Sequence, residues 1–391
     1  MTRNPSSAMR HAVPPVGHRS LSGAVALLAV LVAGCASAVA PTAARMTASA
    51  PTPAATSAPP TATAAPAAMP PGRILFHRLK ADEVEDYFTI DTDGSDELAL
   101  FTLQGCGCAR LSPDGTQIWT MGETEHGTYS FTTMRLDGGE RQVIAPPSAT
   151  LNLGPAASSQ DGRWLAFDGW DETDPSQNGL YLGSSDLTDL RLLLATPRGS
   201  VRFEPFAVTP DGASVLAFVE EGSVGDINHA GGIFVVKDDG TGRFELNPAG
   251  TLHGWTGDYA GGLSPDGRRV AFATDQGVFV TGLDGGEPER ITEWSGFVSG
   301  VSWSPTGDWI SYTRHQGNSA VLSLVRPDGS EEREFPAATG SRAVWSPDGQ
   351  HLLVRRGVEG REDLWIVDLD GNAIGQVTDE PSTYHGYWWG P

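Results

Sequence analysis

Five polar side chains occupy matching places, each shortly before a turn. Four lie six or seven residues before a turn proline and one lies five before it; the five are Glu204, Asp258, Tyr259, Arg342 and His385. If these stretches are the inner strands of one ring, the five side chains can line a central channel and bind a polar ligand. The competing interpretation is that they only solvate a water-filled channel.

Two closely spaced cysteines could take part in more than one kind of chemistry. Cys106 and Cys108 flank Gly107, seven and five residues before Pro113. In an extended strand their Cα atoms would be about 6.6 Å apart, at the upper limit for a disulfide. A strained disulfide, two buried free thiols and a metal site remain open, and thiol counting on denatured protein distinguishes them.

Metal chemistry has weak support, and no cofactor or metal site is expected. The stretch from Asp91 to Asp96 resembles a calcium loop, but its twelfth position is Thr102 instead of the required Glu, so a hairpin turn is expected. A second acidic stretch is expected to be a solvated loop, with divalent-cation binding as the alternative; it contains Asp168, Asp171, Glu172 and Asp174. The histidines show no His-x-x-x-His spacing and are expected at the surface.

The first 35 residues have the pattern of an export signal. Arg3, Arg10 and Arg19 precede an apolar run over residues 21–34, which is too short to span a bilayer comfortably. The run ends at Val32-Ala33-Gly34-Cys35, which resembles the bacterial lipobox. The resemblance implies a signal peptide over 1–34, lipidation of Cys35 and an extracytoplasmic protein anchored to a membrane, either periplasmic or at the cell surface. An ordinary secretory peptide is the alternative.

Composition separates a tether from a folded part. Residues 35–71 follow with almost only Ala, Pro, Thr and Ser, which cannot bury a core and predicts a disordered tether. The 48 acidic residues against 26 basic ones give a net charge of −22, which argues against a nucleic-acid partner. The 48 glycines and 28 prolines favour many short strands joined by tight turns.

The elements that position these residues are repeats. In the clearest copy Pro265 fixes φ, Asp266 can bond the backbone ahead of it, and Gly267 accepts a positive φ. Related turns stand around Pro113, Gln160, Pro210, Pro305 and Pro347. A second hairpin, usually with Asp-Gly, recurs about every 46 residues, which suits four short strands per repeat.

The two ends of the repeat region complete each other. The first repeat, from Gly72, has only three strands, whereas the segment from Tyr384 to Pro391 stops where a turn should begin. We therefore predict an all-β fold over 72–391: a seven-bladed β-propeller of four-stranded antiparallel blades, closed by the C-terminal strand joining the N-terminal blade. A monomer is expected.

Repeats that read Trp-Ser-Pro-Asp-Gly, as at Trp345–Gly349, and then Asp-x-Asp-Gly resemble the TolB-type propeller. They are also similar to the N-terminal propellers of prolyl-oligopeptidase-like peptidases, but the Gly-x-Ser-x-Gly motif of a hydrolase domain is missing. The resemblance implies a non-enzymatic module that binds a protein or a cell-envelope ligand on the face with the long connections. The alternative is a metal-assisted polysaccharide lyase or hydrolase that uses the channel mouth.

Overall fold

The computed structural model describes residues 68–80, 84–104, 109–154, 156–196, 201–221, 232–246, 261–294, 297–317, 319–335, 342–358, 361–380 and 384–391. All of these residues belong to one compact unit, Ala64–Pro391. Cys35, Cys106, Cys108, Asp258 and Tyr259 lie outside the described residues, as do the signal peptide and nearly all of the tether.

The repeated turn forms as its residue types predict. Gly267 has φ +69° and its N–H donates to the Ser264 carbonyl at 2.8 Å. The Ser264 hydroxyl donates to Asp266 at 2.6 Å and accepts the Arg269 N–H at 2.9 Å. Each turn thus satisfies its own polar groups and delivers an inner strand directly into the second strand.

The strands form seven antiparallel sheets, which are the blades of a ring. In chain order, the strands of blade 1 are β1 (Arg73–Leu79), β2 (Val84–Asp91) and β3 (Leu98–Gln104); of blade 2, β4 (Arg110–Leu111), β5 (Gln117–Glu123), β6 (Tyr129–Arg135) and β7 (Gln142–Ile144); of blade 3, β8 (Leu151–Leu153), β9 (Ala157–Ser158), β10 (Trp164–Asp171), β11 (Gly179–Ser184) and β12 (Arg191–Ala195). In blade 3 the inner strand is split into β8 and β9, which both pair with β10.

The remaining blades each have four strands. They are β13 (Val201–Val208), β14 (Ser214–Glu221), β15 (Gly232–Lys237) and β16 (Arg243–Leu246) in blade 4; β17 (Gly261–Leu263), β18 (Arg269–Thr274), β19 (Gly277–Gly282) and β20 (Glu289–Arg290) in blade 5; β21 (Val298–Trp303), β22 (Ile310–Gln316), β23 (Ser319–Val325) and β24 (Glu332–Phe335) in blade 6; and β25 (Val344–Trp345), β26 (His351–Val358), β27 (Arg361–Asp368) and β28 (Ala373–Gln376) in blade 7. A one-turn 3₁₀ helix spans Pro175–Gln177.

The last strand, β29 (Tyr384–Gly390), closes the ring by pairing with β1 as the inner strand of blade 1. Trp389 lies opposite Ile74 and Trp388 opposite Leu75. Tyr387 and Trp389 are buried in an apolar cluster shared with blade 7. The predicted seven-bladed ring and its closure by the C-terminal strand are therefore confirmed.

Apolar layers join neighbouring blades. Leu180 and Leu182 of blade 3 pack with Phe203 and Val215 of blade 4, and comparable clusters fill the spaces between blades 4 and 5 and between blades 5 and 6. Because both faces of a blade are covered, second and third strands bury residues on both faces, as in β18. This packing fixes the inner strands around the channel.

The ring has two faces. The turn face carries the short turns between first and second strands and between third and fourth strands; the long-loop face carries the other connections. The described chain enters on the turn face, where the Thr92 hydroxyl donates to the Pro70 carbonyl at 2.5 Å and Met69 packs on the blade 7 cluster. Within the described ranges, no helix has the length and apolar character needed to cross a bilayer.

Candidate functional site

Two of the five predicted channel residues have described side chains. Glu204 lies in β13 of blade 4 and Arg342 just before β25 of blade 7, so these two occupy different sectors of the ring. His385 lies in β29, where only its backbone is described. A shared site for all five residues therefore stays a prediction.

Arg342 is held against the closing strand. Its guanidinium carbon lies 5.8 Å from the ring centre of Trp388, within range of a cation–π attraction. Its carbonyl accepts the Tyr387 hydroxyl at 2.5 Å. Blade 7 is therefore joined to the inner strand of blade 1 by polar contacts near the channel.

Blade 1 holds a buried group of acid–base side chains near the long-loop face. His77 is 1% exposed and Glu85 7% exposed, with His77 Nδ1 3.8 Å from a Glu85 oxygen. The same Glu85 oxygen accepts the Tyr87 hydroxyl at 2.9 Å. Burial and the neighbouring Glu85 carboxylate raise the pKa of Tyr87, which keeps its phenol protonated. The imidazole also meets Trp388 edge-on, with ring centres 6.4 Å apart.

Blade 7 repeats this arrangement with different residue types. Arg355 and Glu362 form an ion pair at 3.0 Å, and Glu362 is 5% exposed. Trp345 and Trp389 occupy the same place of the repeat, and their partners on the neighbouring strand are Leu352 and Ile74. Arg355 lies three residues after Leu352, and His77 lies three residues after Ile74. The pairs therefore occupy equivalent places, each facing the next blade.

Blade 6 carries a serine and a histidine at its long-loop end, where Ser299 lies opposite Thr313 and His315 lies two residues further along β22. The Ser299 hydroxyl and His315 Nε2 are 2.8 Å apart, and the imidazole packs on the exposed ring of Phe297 at 4.7 Å between ring centres. Burial lowers the pKa of His315, so its ring is neutral at neutral pH. Ser299 stands six residues before Pro305, the same place as Glu204 before Pro210.

These groups form what we call the polar arc, at the long-loop end of blades 6, 7 and 1. It consists of Ser299, His315, Arg342, Arg355, Glu362, His77, Glu85 and Tyr87. At the place of His77 and Arg355, blades 2, 4 and 5 have the apolar residues Met121, Phe218 and Ala273, whereas blade 3 has Asp168 and blade 6 has Thr313. Among the described residues, blades 6, 7 and 1 therefore carry polar side chains at or near this place, and so does blade 3.

The polar arc can recognise a ligand through hydrogen bonds and charge. Its buried members are preorganised by one another and by Trp388, so they can hold the exposed edge of the site in a fixed geometry. Among the described residues no three His, Cys, Asp or Glu side chains converge as metal ligands do.

The acidic loop of blade 3 is held together by its own hydrogen bonds. Asp171 is buried and accepts the Thr150 hydroxyl at 2.5 Å, the Thr173 hydroxyl and N–H, and the Asp174 N–H. The Thr150 hydroxyl lowers the pKa of Asp171 most, and the hydrogen bonds together outweigh burial to bring the pKa to about 2. The carboxylate therefore fixes the loop between β10 and β11.

Counting back from turn prolines missed His77 and Arg355, because these residues lie on second strands. The expectation of surface histidines was wrong for His77, which the contact between blades 1 and 2 buries. A usable signal was present: both are charged or polar at a place of the repeat where blades 2, 4 and 5 have apolar residues. Asp91, from the calcium-like stretch, pairs with Arg73 at 2.6 Å in a hairpin turn.

Comparisons with known proteins agree with this architecture. No family model matches the chain. The Tol-Pal system protein TolB of a Wolbachia strain from Drosophila simulans is 40% identical over 47 residues, which are 12% of this chain and 11% of that protein. The chain has a TolB-like propeller repeat. The match has about the length of a single repeat and spans about a tenth of the curated relative.

Solved structures align with the chain at low sequence identity. Oligogalacturonate lyase from Vibrio parahaemolyticus aligns with a TM-score of 0.53 and 10% identity, over 75% of this chain and 91% of that one. TolB from Acinetobacter baumannii aligns with a TM-score of 0.46 and 15% identity, over 81% of this chain and 82% of that one. The lyase match is evidence for the propeller fold alone.

Proposed function

We propose that the chain is a non-enzymatic binding module that recognises a protein or cell-envelope ligand with its long-loop face. The single observation that carries this proposal is that three adjacent blades each hold bonded polar side chains at that face: Tyr87 with Glu85, Arg355 with Glu362, and Ser299 with His315. A ring that used its channel only for water would not need buried, mutually bonded polar groups on one side, since such groups are costly to desolvate.

The placement of apolar side chains supports the same face. Among the described residues, three large apolar side chains are exposed: Tyr129 at 52%, Phe297 at 44% and Leu98 at 39%. Tyr129 starts β6 and Phe297 directly precedes β21, both at the long-loop face, whereas Leu98 starts β3 at the turn face. Exposed aromatic residues beside polar groups are typical of protein-binding surfaces.

The attachment that we propose leaves this face accessible. The module is extracytoplasmic and anchored by lipid on Cys35, in keeping with the lipobox-like sequence, and acts as a monomer. The described chain begins on the turn face, so a tether from that side leaves the long-loop face open to a partner. Two or more acyl chains would hold the protein stably on a membrane.

Site-specific photocrosslinking in intact cells tests the proposal. A photoreactive phenylalanine analogue at Tyr129 or Phe297 should yield a discrete crosslinked product, and the same analogue at Leu98 is the matched control. Arg342→Ala should weaken the product from both long-loop positions. Equal products from all three positions, or a product from Leu98 alone, would contradict the proposal. Cys35→Ser should separately move the protein out of the membrane fraction.

The alternative is a metal-assisted lyase or hydrolase that acts on a polysaccharide. The acid–base pair of Ser299 and His315 is the observation that favours it. Elemental analysis of the purified full chain and a polyuronide cleavage assay with and without Mn²⁺ distinguish the two functions. Stoichiometric metal with metal-dependent turnover would replace the binding proposal.

A further inference from the structure

The seam between blades 1 and 2 is packed differently from the other seams of the ring. One place on each second strand faces the preceding blade in the middle of the seam. It comes two residues after the partner of the inner-strand residue that lies two before the turn proline, or two before Gln160 in blade 3. Blade 2 has Thr120 at this place, and Thr132 of β6 lies opposite.

The other six blades fill the same place with a larger pair of side chains. The six cross-strand pairs are Phe76 with Phe88, Phe167 with Tyr181, Ala217 with Phe234, Phe272 with Phe279, Tyr312 with Ser323, and Val354 with Trp365. Each of these pairs contains at least one aromatic ring, and the second-strand member of each belongs to the apolar cluster shared with the preceding blade. The pair in blade 2 therefore replaces an aromatic layer with two hydroxyl groups.

These two hydroxyl groups are buried. Thr120 is 5% exposed and Thr132 0% exposed, and neither hydroxyl has a hydrogen-bond partner among the described residues. Thr120 lies two residues after Ile118 and shares its face, and Ile118 packs with Leu75 and Tyr87 of blade 1. The threonine pair thus lies against blade 1 beside its buried acid–base side chains. Because a buried hydroxyl without a partner costs free energy, it weakens the closed seam.

The apolar cluster at this seam is also the smallest. Among the described residues it has six buried members, whereas the clusters at the other six seams have nine to eleven. Five more apolar side chains at this seam are only partly buried, Phe101 and Trp388 among them. Since burial of apolar surface holds neighbouring blades together, we expect this seam to be the weakest.

A cleft lets solvent approach the same seam from the turn face. It has a volume of about 520 Å³ and is lined by Arg73 and Leu98 of blade 1 and by Thr116, Arg135, Leu136 and Asp137 of blade 2. Leu98 is 39% exposed there. Arg73 pairs with Asp91 and Arg135 with Asp137, each within its own blade, so these ion pairs do not join the two blades.

We propose that the ring opens at the seam between blades 1 and 2 before it opens at any other seam, and that water enters at the threonine pair. Blade 1 then stays on blade 7, because Ile74, Tyr387 and Trp389 share one buried cluster with blade 7 and the Tyr387 hydroxyl donates to the Arg342 carbonyl. Local opening has the lowest free energy where buried apolar contacts are few. The open state is rarely populated, and this device is independent of the proposed binding function.

Labelling of engineered cysteines in the folded full chain measures this opening. In a background without the three native cysteines, Ile118→Cys reports the proposed seam, and Ile74→Cys and Ile310→Cys report equivalent places in the seams before blades 1 and 6. All three isoleucines are 0% exposed, so labelling requires opening. Under native conditions Ile118→Cys should react with iodoacetamide at least about tenfold faster than either control. Met134→Cys, at the same seam on the neighbouring strand, should react as fast as Ile118→Cys.

Valine variants test the part played by the two hydroxyls. Thr120→Val combined with Thr132→Val should slow the labelling of Ile118→Cys by about tenfold, because the closed seam then holds no hydroxyl without a partner at this place. The control is Thr313→Val in blade 6, which removes another buried hydroxyl that has no partner among the described residues and should change that rate by less than about threefold. Equal labelling at the three isoleucine positions, fastest labelling at Ile74→Cys, or equal effects of the valine variants would overturn the proposal.

Discussion

Replacing Trp389 by alanine tests the closure of the ring energetically. The Trp389 side chain is 8% exposed and packs with Ile74, Phe76 and Tyr387 in the cluster between blades 7 and 1. Removing a buried tryptophan costs about 3–5 kcal/mol in lost burial and in the cavity left behind. Since the total stability of a domain is about 5–15 kcal/mol, the loss should be easy to measure.

Trp303 provides the matched comparison. It occupies the same place in blade 6 and is 6% exposed, and the Arg269 guanidinium carbon lies 4.9 Å from its ring centre. Trp303→Ala should therefore cost as much as Trp389→Ala, or slightly more because a cation–π contact is also lost. Each variant should lower the Tm by about 10 °C in calorimetry. If Trp389→Ala melts like the unmodified protein while Trp303→Ala does not, β29 cannot be packed as described.

Three further perturbations probe particular contacts. Glu362→Ala should destabilise by about 3–5 kcal/mol because Arg355 loses its buried partner, whereas the double variant Arg355→Met, Glu362→Leu should unfold near the unmodified protein in urea. Asp171→Asn should cost about 2 kcal/mol at pH 7. Since the pKa of Asp171 is lowered to about 2, the ionised carboxylate stabilises the folded protein above about pH 4. The difference in Tm between the variant and the unmodified protein should therefore disappear as the pH falls towards 2. Gly267→Ala, where a Cβ would lie 2.5 Å from a proline carbon, should cost more than Gly317→Ala, where φ is also positive but no atom lies within 4 Å; urea unfolding compares them.

The fold follows from sequence features that act locally. Pro265, Asp266 and Gly267 each have one conformational role, so the turn could be predicted from residue types and the blade count from their spacing. The closure followed from a missing strand at one end and an unpaired aromatic segment at the other. Such reasoning needs no knowledge of packing between blades.

The polar arc could be predicted only in part. Arg342 was found by its distance from a turn proline, but His77 and Arg355 depend on which face of a second strand meets the next blade. Their partners Glu85 and Glu362 come from the neighbouring strand, and that pairing depends on register and on the length of the connection. Repeat position marks these residues as unusual, yet only the packed ring brings each pair together.

A pair of engineered cysteines tests the closed ring most directly, because both faces and the polar arc depend on it. In a background without the three native cysteines, Leu75→Cys and Trp388→Cys stand opposite each other in neighbouring antiparallel strands, at a separation that permits a disulfide. Mild oxidation of the folded protein should link them within one chain, as a mobility shift and peptide mapping would reveal. The control pair Leu75→Cys with Trp345→Cys should stay reduced. Failure of the first pair to link, or equal linking of both pairs, would contradict a ring closed by β29.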